Sequence, residues 1–426
     1  MNIYQNPESQ AWAALCRRAE QDNSLIAERV EAIVERVAKE GDAALFALAE
    51  QIDGVRLDSL AVSEQEFLDA EASVSDEVKA AIENAIRNIE AFHRAQLPSE
   101  VRVETQPGVV CVQRPVPISR VGLYIPGGTA PLFSTVLMLA LPAKIAGCED
   151  IILCTPTNKQ GRVAAEVLYA ARRCGVTKVF KAGGAQAVAA MAYGTESVPK
   201  VYKIFGPGNR YVTLAKQLVA CRNTSIDMPA GPSEVMVMAD GSADVEFVAA
   251  DMLSQAEHGR DSQAIVVCDS VAFAQKVAAT VERQMAELSR ADYVAESLKN
   301  SRAVVFDSRE QMIAFANEYA AEHLIISMED AWGAAAEITA AGSIFIGNYS
   351  PESAGDYASG TNHTLPTSGW AHSCSGVNID SFMRKMTIQE LSRDGIESLA
   401  QTIVAMAEAE GLEAHANAVK VRIEKR

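Results

Sequence analysis

The stretch RVGLYIPGGTAPLFSTVLMLALPAKIAGCEDIILCTP, residues 120–156, decides the fold class. A β-rich run, VGLYI at 121–125, leads into a Gly-rich turn and a long apolar segment; a second β-rich run, IILC, follows at 151–154. Short strands of this kind, separated by roughly a dozen residues of helical character, have the rhythm of a parallel sheet joined by crossover helices. KVF (178–180) and VYKIF (201–205) continue the set. EVMVMA (234–239), AIVVC (264–268), AVVF (303–306), LIIS (324–327) and SIFIG (343–347) make a second one. DMPAGPS, residues 227–233, reads as the link between two α/β units of similar design.

Upstream, the first hundred residues read as helical. Ile26, Val30, Ile33, Val34 and Val37 recur at helical spacing after Ser24, and Gly41 supplies a stop. Ser63 and Glu66 have the spacing of a capping box. Val78, Ile82, Ala85, Ile86, Ile89 and Phe92 form a further apolar stripe, with His93 beside it as a surface or helix-packing residue. Downstream, 15 of the 27 residues at 350–376 are Gly, Ser, Thr or Pro, and the aromatic and His residues among them favour a functional loop. A helix at about 394–410 and an amphipathic segment, EAHANAVKVRIEK, end the chain. That tail is too small to fold alone and is expected to dock on another domain or subunit.

Composition narrows the function classes. A chain of 426 residues exceeds one ordinary domain, and 49% hydrophobic with 22% charged residues is globular usage. A formal net charge of −17 argues against a nucleic-acid surface. MNIYQNPESQ lacks the pattern of a secretory signal. The longest apolar segment, 131–147, is interrupted by Ser134, Thr135, Pro142 and Lys144, which excludes a membrane span there. The eight scattered cysteines contain no CxxC pair and read as reduced thiols of a cytoplasmic protein.

Three Gly-rich turns follow strands: IPGG (125–128), KAGGAQ (181–186) and FGPGN (205–209). Each would set backbone N–H groups at a helix N-terminus, which suits a pyrophosphate. Equally, each could be a tight turn that needs glycine, since neither a full GxGxxG nor a Walker loop is present. Gln186 and Asn209 sit at these turns and could bond ribose or phosphate, and Tyr124 could pack on a ring.

Six histidines allow each to be weighed. Gln255 and His258, at i and i+3, share one face of a helix end and could reach one metal ion, or His258 could simply favour the C-terminal dipole before Gly259. Glu322 and His323 adjoin at a helix–strand junction, a pairing suited to proton transfer or to a solvated helix end. Asp356, seven residues before His363, is a turn former or a hard zinc ligand. His415, near Glu410, reads as a surface residue. Spacing alone therefore reaches an α/β enzyme with possible nucleotide and metal sites.

The assembled strings go further. RVGLYIPGGTAPLFSTVLMLALPAKIAGC (120–148), KAGGAQAVAAMAYGTESVPKV (181–201), FGPGNRYVTLAK (205–216), DMPAGPSEV (227–235), LSQAEHG (253–259), EHL (322–324), GDYASGTNHTLPTSGWA (355–371) and AEGLEAHANAV (409–419) together closely resemble the histidinol dehydrogenase family, in order and nearly end to end. Tyr202 departs from the family pattern, which has Asp before this strand's Lys.

The resemblance implies oxidation of L-histidinol to L-histidine through bound L-histidinaldehyde, with two NAD+ reduced, in a homodimer with one zinc per active site. By motif match, Gln255, His258, Asp356 and His415 are the zinc ligands, with His415 lent by the neighbouring subunit. Glu322 and His323 match the catalytic pair. Ser233, Gln255, His258, His323, Asp356, Glu410 and His415 match substrate contacts, and Tyr124, Gln186 and Asn209 match nucleotide contacts. The fold it implies is α/β, with two incomplete Rossmann-like parallel-sheet domains and small helical terminal pieces. The expected boundaries are an N-terminal segment at 1–20, a first domain at 21–122 plus 235–378, a second at 123–234, and a docking tail at 379–426. Rival readings are a zinc hydrolase or deaminase, in which Glu322 activates a metal-bound water, and an inactive nucleotide-binding protein of the same fold.

Overall fold

The computed structural model describes residues 1–18, 24–127, 132–222, 224–229 and 231–424. Gly128 of the first glycine turn and Ala230 of the linker therefore lie outside the described residues. In chain order the strands are β1 (Asn2–Gln5), β2 (Val101–Gln106), β3 (Val109–Pro117), β4 (Arg120–Tyr124), β5 (Asp150–Thr155), β6 (Lys178–Lys181) and β7 (Lys203–Phe205). They continue as β8 (Ser225–Ile226), β9 (Glu234–Ala239), β10 (Gln263–Cys268), β11 (Arg302–Val305), β12 (His323–Ser327), β13 (Ser343–Ile346) and β14 (Met383–Leu391).

Two all-parallel sheets result. One has order β6-β5-β4-β7-β8, the other β1-β11-β10-β9-β12-β13. Alternate residues of β9 explain why these strands are apolar throughout. Val235, Val237 and Ala239 face one buried layer, while Met236 and Met238 face another. A sheet covered by helices on both sides has no solvent face, so its strands read as continuous hydrophobic runs. The α/β class with two parallel sheets and helical pieces near both termini matches the sequence reading.

The helices Ser24–Glu40 and Asp76–Arg94 bury Val30, Val34, Ile82 and Ile89 against the five-stranded sheet. Ser63 and Glu66 do form a capping box, with mutual bonds at 3.3 and 2.9 Å. Two features escaped the sequence pattern. Residues 2–5, expected helical, form an edge strand parallel to β11, and β14-β3-β2 make a separate antiparallel sheet. Of β14 and β2 neither carries a continuous apolar run, since both are largely exposed.

The linker fixes how the two parallel sheets meet. β8 ends at Ile226 and β9 begins at Glu234, so seven residues carry the chain from the C-terminal edge of one sheet to the N-terminal edge of the other. At Gly206 the five-stranded sheet closes tightly. Its φ is 125°, and a Cβ there would lie 2.0 Å from the Tyr124 carbonyl oxygen, so only glycine fits. Tyr202 packs away from this edge, its hydroxyl accepting from Arg120 at 2.7 Å. All eight cysteines are unpaired, and among the described residues no helix is long and apolar enough to cross a membrane.

Candidate active site

The expected catalytic and metal residues of the six-stranded unit converge on the N-terminal edge of its sheet. In open α/β sheets ligands usually lie at the C-terminal edge; the reason for the reversal is in the connections. The helix Val245–Ala256 starts beyond the C-terminal end of β9 and runs back, so Gln255 at its end and His258 in the turn after it return to the N-terminal edge. Glu322 immediately precedes β12, and His323 is its first residue, in register with Val235. Asp356 and Glu352 come from a short helix, Glu352–Tyr357, inside the Gly/Ser-rich loop.

His258 Nε2 lies 3.7 Å from Glu352 Oε1 and 3.9 Å from Asp356 Oδ2. His323 Nε2 is 3.6 Å from the other Asp356 oxygen, and its Nδ1 is 3.6 Å from Glu322 Oε2. Glu322, His323 and Glu352 are buried, while the His258 side chain is half exposed. The Gln255 amide is best satisfied with its nitrogen donating to both Glu352 oxygens, at 2.6 and 2.8 Å, and its oxygen accepting from the Glu234 N–H at 2.8 Å. That same N–H donates to Glu322 Oε2 at 2.9 Å.

Electrostatics follow from three carboxylates around two imidazoles. Burial pushes the Glu322 carboxyl up to about 8, against the opposing pull of His323 and the Glu234 N–H. Burial alone would lower His323, but Glu322, Asp356 and Glu352 outweigh it and push the imidazole up to about 10. Asp356 is also disfavoured by burial, yet His323 holds it below the usual carboxylate range. Glu352 and Asp356 raise His258 against the desolvation of its ring.

The donor set suits a divalent cation. Ligand atoms of His258, Glu352 and Asp356 all lie within 4.8 Å of one another. Imidazole nitrogen and carboxylate oxygen are zinc donors, and surplus negative charge in a buried site calls for a cation. Both His323 ring nitrogens are buried without a hydrogen-bond partner, polar atoms left unsatisfied by the chain itself.

Glu352 was not singled out in the sequence, where PESAGD reads as loop chemistry. A Glu at i−4 from Asp356 on one helical face was the available signal. His363 also belongs to this neighbourhood: its proton affinity is lowered by burial and partly restored by Asp356. Glu410 and His415 are exposed, beside and on tail helices that pack on each other, and one chain does not bring them to the cluster. Ser233 stands half buried at the entry to β9.

The three expected nucleotide residues mark the C-terminal edge of the five-stranded sheet, where the strand order reverses between β4 and β7. Tyr124 ends β4 and its hydroxyl accepts from Gly184 N–H at 3.1 Å. Gln186 is buried in the first turn of the helix Gly184–Tyr193. That helix has no side-chain cap, and a Cβ at Gly183 would fall 2.7 Å from Pro156, so the turn is bare backbone. Asn209 caps the next helix through Tyr211 and Val212 N–H, which makes the FGPGN turn partly self-satisfied.

Comparison with known proteins shows what the whole chain is similar to. The family described as histidinol dehydrogenase matches residues 16–423. A histidinol dehydrogenase of Bacteroides thetaiotaomicron is 52% identical over 423 residues, covering 99% of each chain. One of Aliivibrio fischeri is 53% identical over 420 residues, covering 98% of this chain and 95% of its own. The crystal structure of histidinol dehydrogenase from Elizabethkingia anophelis superposes with a TM-score of 0.97 at 48% identity, over 100% of this chain and 98% of that one.

Proposed function

The chain belongs to the histidinol dehydrogenase family of oxidoreductases, and from that premise we propose that it oxidises L-histidinol to L-histidine through bound L-histidinaldehyde, reducing two NAD+. Converting a primary alcohol to a carboxylate removes four electrons, hence two hydrides and two nicotinamides. The observation that carries this reading is the buried Glu322–His323 pair, 3.6 Å apart, with His323 also 3.6 Å from Asp356 beside His258.

Gln255, His258, Asp356 and the partner subunit's His415 would hold zinc, with Glu352 orienting the Gln255 amide. Zinc there would supply a Lewis acid that offsets the carboxylate charge and binds the reactant's imidazole and amino nitrogens. Tyr124, Gln186 and Asn209 would hold the nicotinamide dinucleotide, which supplies the hydride acceptor.

In the first oxidation, with a bound cation offsetting the carboxylates that otherwise keep its ring protonated, His323 would take the alcohol proton at Nε2 while hydride leaves carbon. In the second, Glu322, ionised once a cation's charge offsets the burial that raises its carboxyl, would take a proton from the water that adds to the aldehyde. Its Oε2 is held by the Glu234 N–H, which leaves Oε1 for that water. His323, having released its first proton, then accepts the hydrate proton as the second hydride departs. Ser233, Glu410 and His415 complete the substrate contacts, the last two from a second copy.

A homodimer is part of the reading. Exposed Val101, Val103 and Met386 on the antiparallel sheet, with Met406 and Leu412 on the tail, favour docking of that region on a second copy. So is a cytoplasmic location, in keeping with eight unpaired cysteines. The test is NADH absorbance with histidinol and NAD+, before and after chelation and zinc readdition. No NADH from the zinc-loaded dimer would defeat the reading.

A further inference from the structure

A carboxylate outside the expected site lies directly behind it. Glu234, the first residue of β9, is 1% exposed in the middle of a parallel sheet, where an unpaired charge would be prohibitive. Arg18 meets it as a fork: Nε lies 2.8 Å from Oε2, and a terminal nitrogen lies 2.9 Å from Oε1. The same guanidinium donates to the Tyr319 and Cys16 carbonyls at 2.6 and 3.1 Å, and stacks 3.8 Å above the Tyr319 ring. The Tyr319 hydroxyl in turn donates to Gln263 Oε1 at 2.7 Å and lies 3.4 Å from Glu234 Oε2. From the far side the Ser368 N–H donates to Glu234 Oε1 at 3.0 Å, tying in the loop that carries Asp356 and His363.

The side chain of Glu234 is thus fixed from three segments distant in sequence, and its own backbone N–H is the donor that holds Glu322 Oε2 and the Gln255 amide oxygen. Buried ion pairs are weak sources of net stability, because desolvation offsets their attraction. A bidentate arginine–carboxylate pair does, however, impose one geometry. We propose that the Arg18–Glu234 pair is a positioning device for the reaction: it locks the first residue of β9 so that its N–H holds the Glu322 carboxylate in the orientation needed to activate water. Arg18 and Glu234 touch no reactant in this scheme, and the inference rests on the assignment of Glu322 as the base for aldehyde hydration.

The experiment compares the zinc-loaded dimer with three variants. Arg18→Lys keeps the charge but loses the fork. Arg18→Met combined with Glu234→Leu removes both charges while retaining the backbone N–H and an apolar fit, a replacement that buried pairs often tolerate without loss of stability. Glu322→Gln provides the reference. Oxidation of histidinal should slow at least about tenfold in the first two, short of the ~10²–10⁴-fold expected from losing the base itself. Single-turnover oxidation of histidinol to the aldehyde, and KM for histidinol, should stay near the parent. In a Glu322→Gln background neither change should cost anything further, since residues acting through one group are non-additive.

Losses that multiply with Glu322→Gln, or a parent-like histidinal rate in both folded variants, would overturn the positioning role. An unimpaired histidinal rate in Glu322→Gln alone would instead overturn the assignment of Glu322.

Discussion

His323 Nε2 lies 3.6 Å from Asp356 Oδ1 while both nitrogens of its ring are buried and unbonded. An imidazole so enclosed among carboxylates has a direct use only if something else enters to accept or give its proton. His323→Gln should therefore lower both oxidations by ~10²–10⁴-fold. Glu322→Gln should spare the first and slow the second. NADH yields from histidinol and from histidinal, measured in parallel, check this, and equal losses on both substrates with Glu322→Gln would refute the division of labour.

Chelation should abolish activity, and zinc should restore it. Glu352→Gln replaces an anion that accepts two bonds from Gln255 with a neutral amide that can accept only through its oxygen. The Gln255 carbonyl loses its fixed direction, so metal affinity should fall by about 10–100-fold, as outer-shell substitutions typically produce. Competition with a fluorescent chelator measures it directly; unchanged affinity would mean that Glu352 plays no part in holding the ion.

Most of the strand pattern was legible because parallel strands buried on both faces are apolar without interruption. β9 and β10 are examples. β1 was not legible: NIYQ is mostly exposed and pairs with a strand three hundred residues away, a partnership no local pattern encodes. Gln255, His258, Glu322, His323 and Asp356 came from the strings that resemble the family, since their separate spacings left bland readings open. Glu352 and the Arg18–Glu234 pair depend on a helix that returns to one sheet edge and on segments that meet only in three dimensions.

Glu410 and His415 stand exposed on the tail, away from the cluster in their own chain. Mixing His415→Ala with His323→Gln subunits should recover activity, because half of the heterodimer's sites then draw both intact residues. Each homodimer alone should be inactive. No recovery after subunit exchange, verified by mass, would count against sites shared between subunits.

His93 sits fully buried, with Nδ1 2.9 Å from the Ile89 carbonyl and Nε2 3.5 Å from the Asn362 amide. Burial holds its proton affinity below the ordinary value, opposed by the Ile89 bond. Asp380 lines the same cavity but is paired with Lys385 at 3.0 Å. Below the ordinary histidine value of about 6.5 the unfolded chain binds a proton that the folded chain refuses, so this group lowers stability as pH falls and contributes no slope above. Urea midpoints between pH 7.5 and 5 should decline less in His93→Gln than in the parent; parallel declines would exclude His93 as a source.

The FGPGN turn is braced from beneath by a second buried pair. Lys216 Nζ lies 2.5 Å from Asp227 Oδ1 and donates to the Gly206 carbonyl at 2.8 Å, while Asp227 accepts from the N–H groups of Gly206 and Met228 at 2.8 Å each. One ion pair therefore joins the turn that precedes Asn209 to the start of the linker that leads to Ser233. Lys216→Met leaves the Asp227 carboxylate buried without its cation, which typically costs about 3–5 kcal/mol. The released turn should also let Asn209 drift, raising KM for NAD+ more than KM for histidinol. Urea unfolding and the two KM values, measured on one preparation, separate these effects. A destabilised enzyme with both KM values unchanged would leave the pair as a brace of the fold alone, with no hold on the nucleotide edge.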